Sequence, residues 1–266
     1  MLSSGADSGG AAGLAGRVPL GLAHAVVFAL FVGLWWAFSI FGGHGFVPSP
    51  LETAKAAIRM SNDGTLETAT LQSFYSLLGG YALAILVAIP VGMAMGGSTV
   101  IGAVLNPYID ALSSMPRIAF LPLIIVFLGL GYEAKIFMVF LGAVMPILIN
   151  TFAGVRHSDG ELIEMARSAG AGSGDIFRKI VLPGALPHIM TGLRVGASLA
   201  LINTVVAELY TAVSGLGGLL SIYGNSFRMA PYFVIVAVLA IMGMLLMYGV
   251  RLVEQRVMRW RHDRSW

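Results

Sequence analysis

Cysteine is absent from the 266-residue chain. Disulfide frameworks, thiolate metal sites and cysteine nucleophiles are therefore excluded. Charge is nearly as scarce: Asp, Glu, Lys and Arg make up 11% of the residues, whereas 57% are hydrophobic and the mean hydropathy is +0.85. A soluble domain carries roughly 25% charged and 45–50% apolar residues. A chain this poor in charge cannot cover its surface with polar groups. A water-soluble globule is excluded, and the excess apolar surface must face lipid. The net charge of +3 implies no nucleic-acid partner.

Chemical motifs are missing too. The three lysines follow Ala54, Ala134 and Arg178, so none closes a phosphate-binding GK[ST] loop. The run Gly170-Ala-Gly-Ser-Gly174 leads into Asp175 with no strand before it, which argues against a nucleotide loop. There is no HExxH, and His24, His44, His157, His188 and His262 are too scattered for a metal site. A membrane-embedded enzyme needs clustered Asp, His or Ser–His groups near one interface, and none is seen. Within the apolar stretches the ionisable groups are few: Arg117 and Lys135 at the very edges of two of them, and His24, His188, Arg194, Glu208 and Arg251 near the ends of the others. A proton-coupled carrier needs acidic or histidine side chains deep in the membrane. The energy for any pumping must therefore come from outside this chain.

What is present is apolar sequence in six stretches, over 21–41, 74–96, 116–131, 134–155, 188–210 and 232–253. A helix needs about 20 residues to cross the hydrocarbon core. Five meet that length; the third is short and carries Pro116 and Pro122. Basic residues decide the doubtful span, because cytoplasmic loops are enriched in Lys and Arg. The C-terminal tail holds Arg251, Arg256, Arg259, Arg261 and Arg264, and the 156–187 loop holds Arg156, Arg167, Arg178 and Lys179. With Arg17 also inside, an even number of crossings must separate the N-terminus from that loop, so 116–131 spans. This topology puts Arg117 inside and Lys55, Arg59, Lys135 and Arg228 outside. The expectation is an all-α polytopic membrane protein with about six transmembrane helices and both termini cytoplasmic. Residues 1–20 read as a disordered tail rather than a signal peptide, 21–255 as the transmembrane domain and 256–266 as a basic cytoplasmic tail. In the external 42–73 loop, residues 50–59 read as a short surface helix starting after Ser49.

The longest cytoplasmic segment between two spans, 156–187, carries the most information. Residues 161–169 favour a helix, with Ser158 or Asp159 as N-cap and Gly170 as its stop. A second short helix starts at Asp175, and Pro183 is expected to end it, with Pro187 opening the next span. Leu162, Met165 and Ala169 recur at helical spacing, as do Ile176, Phe177 and Ile180. A compact pair of short helices with an apolar ridge and a charged rim suits a groove on a partner.

The pattern Glu164-x-Ala166-x3-Gly170-x9-Ile180-x-Leu182-Pro183 resembles the cytoplasmic EAA loop of membrane subunits of binding-protein-dependent ABC importers. Met165 stands where that pattern has alanine. Ala134-Lys-Ile-Phe137, Pro146-Ile147, Asn150-Thr151 and Gly154-Val-Arg156 resemble the fourth span of the nitrate/sulfonate/taurine/bicarbonate-type branch. Val206-Ala-Glu208 followed by Ser214-Gly-Leu-Gly217 resembles the end of its fifth span. The resemblance covers roughly residues 65–255 and implies a type I ABC importer permease fold. It implies coupling to a separate ATPase through Glu164, Met165, Ala166, Gly170, Ile180, Leu182 and Pro183. It implies no cofactor on this chain, ATP and Mg being held by two partner ATPase subunits. A periplasmic or lipid-anchored substrate-binding protein and a place in the bacterial inner membrane follow as well. One coupling loop per chain against two ATPases calls for a second permease chain, most simply another copy. The substrate would be a small organic or inorganic anion such as sulfonate, taurine, nitrate, bicarbonate or an aromatic acid; related branches also carry neutral pyrimidines and vitamins.

Within the membrane, Gly92 and Gly96, and Gly192, Gly196 and Ala200, recur every four residues and read as helix-packing faces. Gly142, Pro146 and Asn150 share one face of the fourth span. Asn150 and Asn203 either line a path or bridge helices by hydrogen bonds. Glu208, near the outer mouth, would gate the path, contact the binding protein or pair with Arg228. Gly215–Leu219 is expected to dip back into the outer interface. Met145 is a further path candidate, although methionines in such spans are more often packing. The rival readings are a passive channel, an ion-driven carrier and a docking scaffold; neither transport rival explains the 156–187 loop.

Overall fold

The computed structural model describes residues 20–41, 46–211 and 214–259. Residues 1–19 of the expected tail, with Arg17, and Arg261 and Arg264 of the basic tail lie outside the described residues. Among the described residues all regular secondary structure is helical. The helices are α1 (Leu20–Phe41), α2 (Pro50–Asn62), α3 (Thr65–Gly97), α4 (Thr99–Ser114), α5 (Leu121–Leu128), α6 (Tyr132–Arg156), α7 (Gly160–Ser168), α8 (Ser173–Ile176), α9 (Leu182–Thr211), α10 (Leu216–Asn225) and α11 (Met229–Val257).

The core of the bundle is α3, α6 and α9, and glycine makes it possible. Lipid tails are as apolar as leucine, so helices associate in a membrane by close packing at small residues. A Cβ placed at Gly80 would lie 2.4 Å from Val139 Cβ and 2.6 Å from the Ile136 carbonyl oxygen. One at Gly92 would lie 2.8 Å from the Leu148 carbonyl, and one at Gly96 would lie 2.5 Å from Val155 Cβ. On α9, Gly192 meets Asn150 and Gly196 meets Ile147 in the same way. Both small-residue faces are thus packing faces. Carbon atoms approach comfortably to about 3.5–4.0 Å, so Gly80→Val must push α3 and α6 apart by roughly 1 Å. We expect it to cost at least the ~1–3 kcal/mol typical of overpacking and to deplete the folded chain in membranes. Gly249→Val, at a site with no heavy atom within 4 Å of the added Cβ, is the control. Equal accumulation of the two variants, measured by quantitative blotting and thermal aggregation, would contradict this packing account.

The margins follow from capping. Ser49 caps α2: its hydroxyl accepts from the Glu52 N–H, and the Glu52 carboxylate accepts from the Ser49 N–H. The Ser49 backbone and then its hydroxyl hold the Glu52 carboxyl below the usual range. Gly64, at φ +72°, turns the chain between α2 and α3, and the Asp63 carboxylate accepts from the Thr65 N–H. That turn starts α3 at Thr65, well before the hydrophobic run from residue 74. Trp35 ties α1 in by donating to the Pro48 carbonyl at 3.0 Å and stacking on Phe233 of α11.

The third span differs from the expectation over 116–131. α5 has only 8 residues, about 12 Å of helix. It is the second half of a broken unit whose first half is α4, and the pair is bent by 85°. The reason is proline. A residue before proline is pushed out of the α region, and Met115 is extended at φ −77°, ψ 137°, ending α4 before Pro116. Pro122 then restarts regular helix at the first turn of α5. Asn106, Pro107, Asp110 and Ser113 hide α4 from a hydropathy reading.

Arg117 is accordingly not in an inside loop. Its Nη1 donates to the carbonyl of Gly142 at 3.3 Å, in the middle of α6. Gly142 lies about 15 Å along the helix from Tyr132 and about 21 Å from Arg156. A half-exposed cation therefore sits level with the middle of α6, where the sequence reading did not place it.

Candidate functional site

The two helices of the 157–181 segment form an elbow at one end of the bundle. Asp159 is the N-cap of α7, its carboxylate accepting from the Glu161 and Leu162 N–H groups. α7 ends in a Schellman motif: the Ala171 N–H donates to the Ala166 carbonyl at 3.0 Å and the Gly170 N–H to the Arg167 carbonyl at 2.9 Å. Gly170 sits at φ +85°, a conformation that a side chain disfavours, so this glycine fixes the corner.

Pro183 does not end the second helix. Helix runs without interruption over Ser173–Thr211, 39 residues and about 58 Å, through both Pro183 and Pro187. The missing N–H of Pro183 is absorbed by a wide turn over Phe177–Val181, where the Leu182 N–H reaches back five residues to the Phe177 carbonyl. The second helix of the elbow and the fifth span are one continuous rod.

Exposure divides the motif residues. Glu164 is exposed, Met165 is 64% exposed and Leu162 46% exposed, so the apolar ridge of α7 faces outward with nothing from this chain on it. Ala166, Ile180, Leu182 and Pro183 are half-buried, Gly170 is exposed and Ile176 is buried. The stripe of the second helix thus turns inward, while that of α7 turns out. A shallow cleft between them is lined by Ala166, Gly170, Ala171, Ile176 and Ile180.

Inside the bundle, the two asparagines satisfy their own helices. Asn150 donates to the Pro146 carbonyl at 2.7 Å and Asn203 to the Leu199 carbonyl at 2.8 Å. Neither makes a hydrogen bond to another helix. Asn203 is buried with its amide against Gly142, Asn150 is half-buried beside Gly192, and Met145 is half-buried against the core.

Glu208 does not pair with Arg228. Arg228 lies over the Tyr223 ring at 5.1 Å. Glu208 is fully buried; one carboxylate oxygen accepts from Ser73 Oγ of α3 at 2.7 Å and from the Gly217 N–H at 2.9 Å, and its other oxygen has no partner. Lys135 of α6, read from the sequence as lying at the outer end, is buried there at 1% exposure and donates to the carbonyl and hydroxyl of Ser214 at 2.9 and 2.5 Å. Ser73 Oγ also accepts from the Leu216 N–H, and the Gln72 side-chain carbonyl from the Gly215 N–H. Gly215, at φ +88°, has room for no side chain: a Cβ there would lie 2.2 Å from the Glu208 carboxylate. These bonds hold the 214–217 turn down and fold the following residues back as α10, with Leu216, Gly217, Gly218 and Leu220 buried. The anticipated return of Gly215–Leu219 toward the bundle is therefore a helix. Ser73, Gln72 and Lys135 escaped the sequence reading; the one signal was two lone opposite charges, Lys135 and Glu208, at the same end of neighbouring spans.

Comparison with known proteins agrees with this architecture. A model of the family described as binding-protein-dependent transport system inner membrane component matches residues 80–259. The taurine transport system permease protein TauC of Escherichia coli is 30% identical over 242 residues, 88% of each chain. The riboflavin transport system permease protein RibX of Chloroflexus aurantiacus is 32% identical over 237 residues, again 88% of each. Among solved structures, a chain of the MetNI methionine ABC transporter superposes with a TM-score of 0.56 at 21% identity, covering 70% of this chain and 93% of that one. The last likeness establishes the type I importer fold.

Proposed function

The chain belongs to the family of binding-protein-dependent transport system inner membrane components, and from that premise we propose how it works as the permease subunit of an ABC importer. The chain carries no nucleotide motif; a separate ATPase supplies the energy. α7 docks into that subunit through Leu162, Glu164 and Met165, with Ala166 and Gly170 at the corner. Ile180, Leu182 and Pro183 carry the motion into α9. The observation that carries this reading is mechanical: an outward-facing apolar ridge stands on a corner fixed by a Schellman motif, and helix runs from that corner to the far end of the bundle. Closure of an ATPase around ATP moves the span only through such a rigid link.

Two permease chains serve two ATPases, and the second is a copy of the first. The elbow and both termini face the cytoplasm, as the arginine distribution favours, in a bacterial inner membrane. Affinity for substrate resides in an external binding protein. The substrate is a small organic or inorganic anion, in keeping with the taurine for which one relative is named.

The test is reconstitution in proteoliposomes with and without the partner ATPase and binding protein. Uptake of the binding protein's ligand is expected only with both partners and ATP. Uptake by this chain alone would favour a channel or ion-driven carrier instead.

A further inference from the structure

We propose that Arg117 is an anion-binding residue of the translocation path, exposed to water at mid-membrane depth by the break in the third span. The inference deepens the importer reading and rests on it for the identity of the cargo. It begins with depth. Arg117 follows the bend between α4 and α5, and its guanidinium reaches the Gly142 carbonyl at 3.3 Å, near the midpoint of α6. A charge at the bilayer centre is costly unless it faces protein or a water-filled cavity. The protein does not neutralise this one. Among the described residues the ion pairs are Lys179–Asp175 and Arg194–Glu254, and no carboxylate meets Arg117. Its one partner is a neutral carbonyl, which leaves most of its five donors free.

The surroundings point the same way. Arg117 is half-exposed, and Met115, Pro116, Ile118 and Ala119 around it are exposed on the single chain. Non-helical backbone is tolerated at membrane depth only where it is buried in protein or lines water. Met115 and Pro116 are such backbone, both extended. The Asn203 amide also lies against Gly142, so a cation, a carbonyl and an amide meet at one residue of α6. An unpaired guanidinium on a water-lined wall selects for anions, and its planar donors fit a carboxylate or an oxyanion such as a sulfonate. Weak, single-point binding is what a path needs, because cargo must also leave.

The test uses the absence of native cysteine. Met115→Cys is introduced into the full chain in membranes and treated with an anionic (sulfonatoethyl) and a cationic (trimethylammonioethyl) methanethiosulfonate, with and without ATP and the partner subunits. We expect modification by the charged reagents in at least one state, with a preference for the anionic one. That preference should fall about tenfold when Arg117→Gln is added, since losing a charge close to the thiol removes about 1.4 kcal/mol of attraction. No modification in any state, or a preference that ignores Arg117, overturns the proposal. In the reconstituted importer, Arg117→Gln should lower anion uptake about tenfold or more and Arg117→Lys should restore most of it. Wild-type uptake in Arg117→Gln also overturns it. If the thiol behaves as expected but wild-type chain shows no ATP-driven uptake, the importer reading has failed and the anion site stands.

Discussion

Glu164→Lys leaves the bundle folded and abolishes ATP-driven uptake. The side chain is exposed on α7 and makes no hydrogen bond within the chain. Charge reversal therefore has no internal partner to disturb. On the docking reading, the same position is enclosed by the ATPase. Truncating one partner of a buried interfacial charge pair costs about 2–5 kcal/mol, and reversal adds repulsion. Uptake should fall by roughly two orders of magnitude or more, and the ATPase should no longer co-purify with the permease. Met165→Asp, which puts a carboxylate on the exposed ridge, should act alike for a different reason, the loss of apolar burial. Accumulation of both variants at wild-type level separates this from misfolding. Normal uptake in both would mean that α7 is a solvated helix and that coupling runs elsewhere.

A second large effect is expected at the opposite end, from Lys135→Met. Lys135 and Glu208 approach the 214–217 turn from two helices, one bonding Ser214 and the other Gly217, and each lies within the electrostatic reach of the other. The two are not in contact, but each is the nearest opposite charge to the other. Removing one member of a contacting buried pair costs about 3–5 kcal/mol, which sets the upper bound here, whereas replacing both is often close to neutral. Lys135→Met alone, or Glu208→Gln alone, should therefore deplete the folded chain severely. The double variant Lys135→Met/Glu208→Gln should recover a large part of the loss, because glutamine keeps an acceptor for Ser73 and the Gly217 N–H. Thermal stability of the detergent-solubilised variants measures this coupling directly. Losses that simply add would show that the two charges act independently and that the turn is held by its hydrogen bonds alone.

Much of the fold was legible because lipid imposes one requirement on every span. Backbone groups must be satisfied internally and side chains must be apolar, so α1, α6, α9 and α11 stand out as hydropathy. The packing faces of α3 and α9 were legible too, since glycine at every fourth position has few other uses at membrane depth, whereas their common partner α6 was not. The α7 corner followed from local chemistry, Asp159 at one end and Gly170 at the other.

The misreadings share a cause. Pro183 was expected to end a helix because proline lacks an N–H; whether a helix breaks or widens depends on the tertiary support around it. At Pro116 the chain breaks by 85°, and at Pro183 it continues.

Sequence by itself determined the class, the helical content, most spans and the motif on the elbow, because hydropathy, capping and glycine spacing act over a few residues. Only the tertiary structure decided where the charges went. Arg117, Lys135 and Glu208 are each a single letter in an apolar stretch, and no local rule sets their depth. Desolvating a charge is costly enough that its position is set by whichever partners the whole fold can bring to it: Ser214 for Lys135, Ser73 and Gly217 for Glu208, and a lone carbonyl for Arg117.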